Sequence, residues 1–366
     1  MCAMTEPVPP ASASAAEPLA RYSRYVALVE AELLEVLRAA EARAVGPGAG
    51  LAAFYGIMRY HLGWADAELR PARAPQGKRL RPTLCLLACE ALGGDLTAAV
   101  PAAAALELLH NFTLVHDDVQ DRDVERHHRP AVWTLWGEAQ AINIGDGMHV
   151  LSSLAMVRLV ERGLPPGRVL EMLELLHRAC LVICEGQFLD IAFEQRWDVA
   201  LDEYLDMIRR KSAVLISCAA ELGAYAAGAD SARRETLARF GLELGMAFQV
   251  QDDLLGIWGD ERLTGKRAAH DLRTRKKTFP VVYALQHGTP EQRRELLDLL
   301  ARPGELSDAA VRRAIELLEA TGAHIQARAA VARYSAAALD CLATLPPSPA
   351  RDELATMAEL LRERRY

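Results

Sequence analysis

Apolar side chains recur along most of this chain at the spacing of one face of an α-helix. Leu28, Leu33 and Leu37 follow this spacing near the start, and Leu84 and Leu87 follow it further along. Alanine is abundant, and no run of β-branched residues alternates with polar ones, so the pattern predicts helices and no sheet. Loops are predicted where glycine and proline cluster, at positions 46–48, 71–75, 93–95, 163–166, 288–290, 303–304 and 346–349. We therefore expect an all-α fold.

The first twenty residues differ in composition from the rest of the chain. Four prolines lie among small residues there, and such a segment buries too little apolar surface to fold. The length of 366 residues is enough to bury a substantial core. We therefore expect residues 1–20 to form a disordered tail and residues 21–366 to form a single all-helical domain.

Charge balance and apolar content exclude several classes of protein. The chain has 42 Lys and Arg residues against 49 Asp and Glu residues, a net charge of -7. This argues against a nucleic-acid binder, because such proteins neutralise phosphates with an excess of basic residues. No apolar block opens the chain, and its longest weakly polar run, residues 213–229, contains Glu221 and is short for a membrane span. We expect a soluble, cytoplasmic protein with no nucleic-acid partner and no stable membrane anchor.

Two acidic clusters each follow an apolar helical segment. The first contains Asp117, Asp118 and Asp121, and the second contains Asp252 and Asp253. Like charges one helical turn apart destabilise a helix by roughly a few tenths of a kcal/mol, and a solvated acidic face would explain either cluster alone. Carboxylate oxygens also suit Mg²⁺, which commonly binds one or two carboxylates together with substrate phosphates. Two such clusters facing one cavity would hold several Mg²⁺ ions on a diphosphate.

Basic residues near both acidic clusters indicate what such a site would bind. They are Lys78, Arg79, Arg81, Arg126, Arg129, Arg209, Arg210, Lys211, Lys266, Arg267 and the run from Arg273 to Lys277. Each group alone is typical of a solvated surface. Their pairing with candidate metal ligands favours an anionic ligand held by both. Apolar helical walls beside such groups predict a site for a phosphorylated head with an apolar tail.

The combined motifs resemble those of the trans-isoprenyl diphosphate synthases, the polyprenyl synthetase family, from Gly77 to Lys277. The resemblance implies an all-α, isoprenoid-synthase-type helical bundle around a central cavity, usually in a homodimer. It also implies a cluster of three Mg²⁺ ions, an allylic prenyl diphosphate and isopentenyl diphosphate as ligands.

The resemblance further implies a role for each matching residue. The metal ligands would be Asp117, Asp118, Asp121 and Asp252, with Asp253 completing the second acidic motif. The cations on the allylic diphosphate would be Arg126, Lys211 and Lys266. The groups on isopentenyl diphosphate would be Lys78, Arg81 and His110. Polar positions lining the cavity would be Gln187 and Gln249.

The implied reaction is ionisation of the allylic diphosphate followed by electrophilic alkylation. Mg²⁺ and the cations would stabilise the departing diphosphate, and apolar walls would keep water from the carbocation. No side-chain nucleophile is required, so the catalytic residues would be the metal and phosphate binders.

Phe112 is the residue expected to set the product length. It lies five residues before Asp117, more than one helical turn deeper in the cavity. A bulky ring there resembles short-chain members that form geranylgeranyl diphosphate (C20), with farnesyl diphosphate (C15) as the next expectation. An ordinary core phenylalanine would be buried in the same way.

Two departures from the family pattern leave other functions open. His127 stands where the family usually has a second arginine for isopentenyl diphosphate, and histidine is fully charged only below its pKa of about 6.5. Gly256 stands where the second motif often ends in aspartate. The alternative enzyme is a class I terpene cyclase or an irregular prenyl-coupling enzyme on the same fold. The alternative outside catalysis is a subunit that regulates a partner synthase, although intact acidic motifs argue against it.

Overall fold

The structure is a computed structural model that describes residues 21–44, 49–259, 269–301 and 306–362. The predicted tail, the predicted loops at 46–48 and 303–304, and Lys266 lie outside these residues. Within them the chain is predominantly helical, which confirms the all-α class. The helices are α1 (Ser23–Arg43), α2 (Ala49–His61), α3 (Leu80–Ala91), α4 (Leu96–Gln120), α5 (Val132–Trp136), α6 (Glu138–Val157), α7 (Pro166–Glu194), α8 (Leu201–Ile208), α9 (Val214–Ala226), α10 (Ser231–Trp258), α11 (His270–Arg273), α12 (Phe279–His287), α13 (Pro290–Leu300), α14 (Asp308–Ala320), α15 (Ala323–Ala343) and α16 (Pro349–Arg362).

The remaining predicted loops lie between helices. They are at 71–75, 93–95, 163–166, 288–290 and 346–349. At the loop 163–166, Pro166 begins α7. Its fixed φ suits the first helical turn, and the backbone N–H that proline lacks would have had no partner at that position. Glycine and proline therefore placed these loops correctly between helices.

Helix α4 runs through the core and carries the first acidic cluster at its end. Its start is capped by Asp95, whose side chain accepts a hydrogen bond from the Thr97 backbone N–H (2.9 Å). Residues 102–105 are fully buried alanines, and their small side chains let α1, α3 and α6 pack against α4. Among the described helices, α4 is the one long and apolar enough to cross a membrane, and 72% of that stretch is buried inside the protein. This burial is what a core helix shows, and the cytoplasmic location stays a prediction.

A short hairpin follows α4, where the sequence predicted no sheet. Strands β1 (Glu125–Arg126) and β2 (Arg129–Pro130) pair antiparallel. Two residues in each strand are too few to produce an alternating pattern. The turn residues His127 and His128 have φ of 52° and 60°, in the left-handed region that residues other than glycine rarely adopt. The hairpin turns Arg126 back toward the end of α4.

Candidate active site

The first acidic cluster lies at the C-terminal end of α4. Asp117 and Asp118 are in its last turn, and Asp121 caps the helix, its backbone N–H donating to the Asp117 carbonyl (2.8 Å). The negative end of the helix dipole and the mutual repulsion of the carboxylates both disfavour this placement. The cluster therefore opposes folding, which favours a role in binding a cation.

The buried Asp118 forms an ion pair with the half-buried Arg126. Arg126 donates to Asp118 Oδ1 through Nε (2.9 Å) and through Nη2. Burial raises the pKa of Asp118, and Arg126 opposes that rise. The second oxygen, Oδ2, is buried and has no hydrogen-bond partner within the described part of the chain. Asp118 therefore fixes Arg126 and leaves one oxygen for a ligand.

Asp117 is half-buried and lies beside two cations. Burial raises the pKa of its carboxyl group to about 6, and the nearby charges of Lys211 and Arg126 lower it. The repulsion of Asp121 adds to the rise. This carboxylate is held in a place where a bound cation would favour its ionised form.

Lys211 connects the first acidic cluster to the rest of the site. It lies in a π-helical turn, Arg209–Ala213, an irregularity that often marks functional sites. Its Nζ donates to Asp190 Oδ2 (2.6 Å). Burial acts to lower the pKa of Lys211, but Asp190 and then Asp117 raise it, and the net shift is upward. Lys211 therefore keeps its positive charge between two carboxylates.

Helix α7 packs directly against this turn. A Cβ at Gly186 would lie 2.7 Å from Lys211 Cα, so the close approach requires glycine. The next residue, Gln187, donates to Gln120 Oε1 (2.8 Å). Asp190 follows Gly186 by four residues and so lies on the same helix face. Sequence reasoning missed Asp190, and its spacing from Gln187 was the signal that could have found it.

Asp253, in the second cluster, is buried and bonded within the protein. The Tyr204 hydroxyl and the Phe279 backbone N–H (2.9 Å) donate to its Oδ2, and Gln249 Nε2 donates to Oδ1 (3.4 Å). Burial raises the pKa of Asp253 to about 7, and these hydrogen bonds lower it. The contacts tie α8, α10 and α12 together. Its catalytic role stays a prediction, and the contacts favour a role in positioning α10.

A cavity of about 310 Å³ lies between the second acidic cluster and Lys211. The predicted residues that line it are Lys211, Gln249, Asp252 and Asp253. The lining residues that the sequence did not single out as ligands include Asp190, Tyr204 and Asp271. The first acidic cluster meets this cavity through Lys211, whose charge acts on Asp117.

Arg81 and His110 lie side by side, as expected of groups that share one ligand. Arg81 Nη1 and His110 Nε2 are 3.0 Å apart. Burial and then Arg81 hold the pKa of His110 well below 6.5, so the neutral ring accepts a hydrogen bond from the guanidinium. The charge of Asp252 acts on Arg81, which places the pair near the second cluster. Arg79, from the same motif, instead forms a buried ion pair with Glu107 (2.6 Å).

The loop before α3 lies beside the hairpin. Lys78 is exposed in this loop, and a Cβ at Gly77 would lie 3.6 Å from His127 Nε2. Desolvation and then the charge of Arg126 lower the pKa of His127. His127 therefore lies beside the loop that carries Lys78, a predicted ligand of isopentenyl diphosphate. Its ring is neutral at neutral pH, so it does not supply the positive charge that an arginine would give there.

His61 gives a prediction about the pH dependence of folding. Burial lowers its pKa from 6.5 to about 3, and the charges of Arg126, His127 and Arg79 add to the effect. The folded ring stays neutral while the unfolded ring protonates, so its contribution is complete above pH 6.5 and is lost as the pH falls. Between pH 8 and pH 5 the protein should lose about 2 kcal/mol relative to His61→Gln.

Urea unfolding of both proteins at the two pH values measures this difference. His287→Gln, at the exposed end of α12, is the control and should show no such pH-dependent difference. An unchanged gap between the protein and His61→Gln at pH 8 and pH 5 would contradict the assignment of a buried, neutral ring.

Phe112 belongs to a layer of rings below the first acidic cluster. It stacks on His149 of α6, with ring centroids 5.0 Å apart and planes at 30°, and its edge meets His116 (4.8 Å). His149 in turn contacts His177 of α7 (5.7 Å). The sequence predicted that Phe112 sets the product length, and it missed His149, because only the packing of α6 against α4 brings the two rings together.

The donors of the site suit Mg²⁺ shared with a phosphorylated substrate. Within the described residues, no group of three or more His, Cys, Asp and Glu side chains is arranged to hold a metal ion unaided. Mg²⁺ typically takes one or two carboxylates and completes its shell with water and substrate phosphates. The partnerless Oδ2 of Asp118 and the half-buried carboxylate of Asp117 are hard oxygen donors of that kind.

Comparison with known proteins assigns the chain to a family. The model of the polyprenyl synthetase family matches residues 64–318. The chain belongs to this family. It is therefore a prenyltransferase of the short-chain isoprenyl diphosphate synthase type, as its curated relatives also indicate.

Two curated relatives from Mycobacterium tuberculosis bear different product names. The (2E,6E)-farnesyl diphosphate synthase is 43% identical over 312 residues, 84% of this chain and 85% of that protein. The geranylgeranyl diphosphate synthase is 41% identical over 303 residues, 82% of this chain and 84% of that protein. These similarities are too close to each other to decide the product length.

Solved structures of the family share the helical bundle. The polyprenyl synthetase from Streptomyces coelicolor superposes with a TM-score of 0.82 and 35% identity, covering 92% of this chain and 99% of that one. The geranylgeranyl pyrophosphate synthetase from Pyrococcus horikoshii gives 0.84 and 30%, covering 95% and 98%. The predicted family and fold class are thus confirmed.

Proposed function

We propose that this prenyltransferase condenses an allylic prenyl diphosphate with isopentenyl diphosphate in a Mg²⁺-dependent reaction. The observation that carries the proposal is the position of Lys211. Its charge acts on Asp117 on one side, and it lines the cavity of Asp252 on the other. Carboxylates on both sides of a fixed cation suit a diphosphate together with its metal ions.

The chain's own residues prepare the departure of the diphosphate. When bound, Mg²⁺ supplies Lewis-acid stabilisation of the charge that develops on the leaving group. Arg126 and Lys211 contribute fixed positive charge to the same group. Asp118 orients Arg126 and Asp190 orients Lys211 through the ion pairs described above. These pairs keep both cations in place before the reaction, so little reorganisation is needed during it.

The second substrate is expected at Arg81, which the neutral His110 ring orients. The C–O bond of the allylic diphosphate breaks, and a C–C bond forms between the allylic carbon and the double bond of isopentenyl diphosphate. The released diphosphate takes the proton that the adduct loses. In the proposed reaction, apolar walls exclude water from the carbocation.

The product proposed is geranylgeranyl diphosphate, with farnesyl diphosphate as the next candidate. Phe112 supports this length because it lies five residues before Asp117 on α4, where its ring stacks on His149 of α6. A growing chain that meets two stacked rings cannot extend further without moving them, since packed rings have little free space.

The reaction is tested by measuring diphosphate release from farnesyl diphosphate. We expect release only when isopentenyl diphosphate and Mg²⁺ are both present, and none with EDTA. Release from farnesyl diphosphate alone would indicate a cyclase and contradict the proposal. Activity that appears only on mixing with another synthase would indicate a regulatory subunit.

We also propose that two copies of the chain associate through α6 and α7. Large apolar side chains exposed on these successive helices are Ile142, Val150, Leu154, Val157, Leu170, Leu181, Phe188 and Ile191. Contiguous exposed apolar surface commonly marks an interaction site. A two-fold interface uses the same patch on both copies. The apolar patch of one copy would therefore be covered by the same patch of the other. Helix α7 also carries Asp190, which connects the proposed interface to the active site.

Replacing Leu181 and Phe188 together by glutamate is expected to convert a dimer into a monomer. The two side chains are 62% and 73% exposed, so charge there should oppose association and leave the core intact. Size-exclusion chromatography with light scattering measures the mass. Ile325→Glu, at a 68% exposed position on α15, is the matched control and should remain dimeric. A monomeric unmodified protein at micromolar concentration would overturn the proposal.

A further inference from the structure

Arg129 bonds to backbone carbonyls at the end of α2 and just beyond it. Its Nη1 donates to the Tyr60 carbonyl (2.8 Å) and its Nη2 to the Ala65 carbonyl (2.7 Å). The guanidinium also lies over the Tyr60 ring, 3.9 Å from its centroid. The last carbonyls of a helix lack partners within the helix and form the negative end of its dipole, so a cation there is favourable. Arg129, which the sequence singled out as a candidate for binding an anion, is thus engaged by the protein itself.

Tyr60 makes a second contact with the same strand. Its hydroxyl donates to the Pro130 carbonyl (2.8 Å). Tyr60 is buried and belongs to the hydrophobic core. Arg129 and Pro130 are the two residues of β2. Both residues of β2 are therefore bonded to a side chain or carbonyl of Tyr60, which the core holds in place.

The hairpin lacks buried side chains that could fix its position. None of residues 125–130 is buried. The turn residues His127 and His128 both have positive φ, at positions where two-residue hairpin turns favour glycine and asparagine. A strained backbone of this kind persists only when the surrounding structure determines it. The polar contacts between β2 and the end of α2 meet that requirement.

Arg126 lies directly opposite Arg129 in the hairpin. The two residues are partners in the ladder and flank the turn. Arg126 in turn donates to Asp118 Oδ1 through Nε (2.9 Å). A displacement of β2 would therefore reach Arg126 through a single rung of the ladder.

We propose that Arg129 is a positioning residue: together with Tyr60 it anchors the hairpin to the end of α2, and so sets the place of the Arg126 guanidinium beside Asp118. This inference rests on the proposed function, because it affects the enzyme through the diphosphate that Arg126 is proposed to hold. Arg129 acts through Arg126 and needs no contact with the substrate.

Binding of inorganic diphosphate with Mg²⁺, measured by isothermal titration calorimetry, tests this role without turnover. Arg129→Met is expected to weaken binding about tenfold, the loss when one charge-assisted hydrogen bond among several is displaced. Arg129→Lys should be impaired as well, since an ammonium group lacks the planar fork that bonds both carbonyls. Full binding by Arg129→Lys would assign Arg129 a role through its charge alone and overturn the proposal.

Arg70→Met is the matched control. Its side chain is 70% exposed in the loop that follows α2, so it changes an arginine of the same region outside the contacts of the hairpin. This variant should bind diphosphate as the unmodified protein does. Melting temperatures check that every variant folds.

A double-mutant cycle separates positioning from a general effect on the fold. If Arg129 acts through Arg126, Arg129→Met should weaken diphosphate binding no further in the Arg126→Ala background. A loss by the same factor in both backgrounds would overturn the proposal, because it would show that Arg129 acts independently of Arg126.

Tyr60→Phe tests the anchor by a second route, should Arg129→Met fail to fold. It keeps the ring under the guanidinium and removes only the hydroxyl bond to the Pro130 carbonyl. We expect it to weaken diphosphate binding about threefold, and again with no further loss in the Arg126→Ala background. Unchanged binding by Tyr60→Phe would overturn the anchoring of β2 by this residue.

Failure of the proposed function would look different. If Arg126→Ala bound diphosphate as tightly as the unmodified protein, the proposed diphosphate site would be contradicted, and the role of Arg129 with it. Weaker binding by Arg126→Ala, together with unchanged binding by Arg129→Met, would overturn the positioning role alone.

Discussion

Replacing Asp117 by asparagine is expected to lower kcat by about a hundred- to a thousandfold, the range seen when one transition-state-stabilising group is removed. Asparagine keeps the size of the side chain and removes the charge that would hold Mg²⁺. The substitution should not lower the stability of the fold, because burial already disfavours the ionised form and raises the pKa of Asp117 to about 6. Removing one charge from beside Asp118 and Asp121 should instead leave the melting temperature unchanged or higher.

Steady-state kinetics across a range of Mg²⁺ concentrations measure this effect. Asp123→Asn changes a carboxylate in the turn that follows α4, outside the proposed ligand set, and should remain within about threefold of the unmodified kcat. An Asp117→Asn variant with nearly full activity at low Mg²⁺ would show that the first acidic cluster does not hold the metal. A lower melting temperature would instead assign Asp117 a role in folding.

Replacing Phe112 by alanine is expected to shift the product from C20 to longer chains. In the proposed function the phenyl ring limits the growing chain, and removing it would let the chain reach His149 and His177, the next rings of the layer. Because His149 lies directly behind Phe112, the double variant Phe112→Ala with His149→Ala should give longer products than the single variant.

Mass spectrometry of the prenyl products measures the chain length. Phe54→Ala is the matched control, since Phe54 is also half-buried but lies on α2, against Gly147 of α6, and it should leave the product unchanged. If the double variant produced the same chain length as the unmodified protein, the ring layer would not be the floor of the cavity.

Much of the fold was predictable because it depends on local signals. The apolar spacing identified helices, and residues such as Pro166 located where they begin. The hairpin that carries Arg126 was not predictable, because its strands have two residues each and its turn depends on left-handed angles at His127 and His128. Such angles are decided by the surrounding packing and leave little trace in composition.

The candidate site was predictable where its residues form contiguous motifs. Asp117, Asp118 and Asp121 are adjacent in the sequence, and so are Asp252 and Asp253. Residues that reach the site from other helices were missed: Asp190, His149 and Asp271. Each depends on a contact between distant segments, and that of Asp271 exists only because Gly256 leaves a space that its carboxylate can fill.

The most direct test of the account is mass spectrometry of products from purified protein, Mg²⁺ and farnesyl diphosphate, with and without isopentenyl diphosphate. We predict a C20 diphosphate that forms only when isopentenyl diphosphate is present. A cyclised or hydrated product formed in its absence would contradict it, and would mean that His127 and Gly256 mark a different reaction on the same fold.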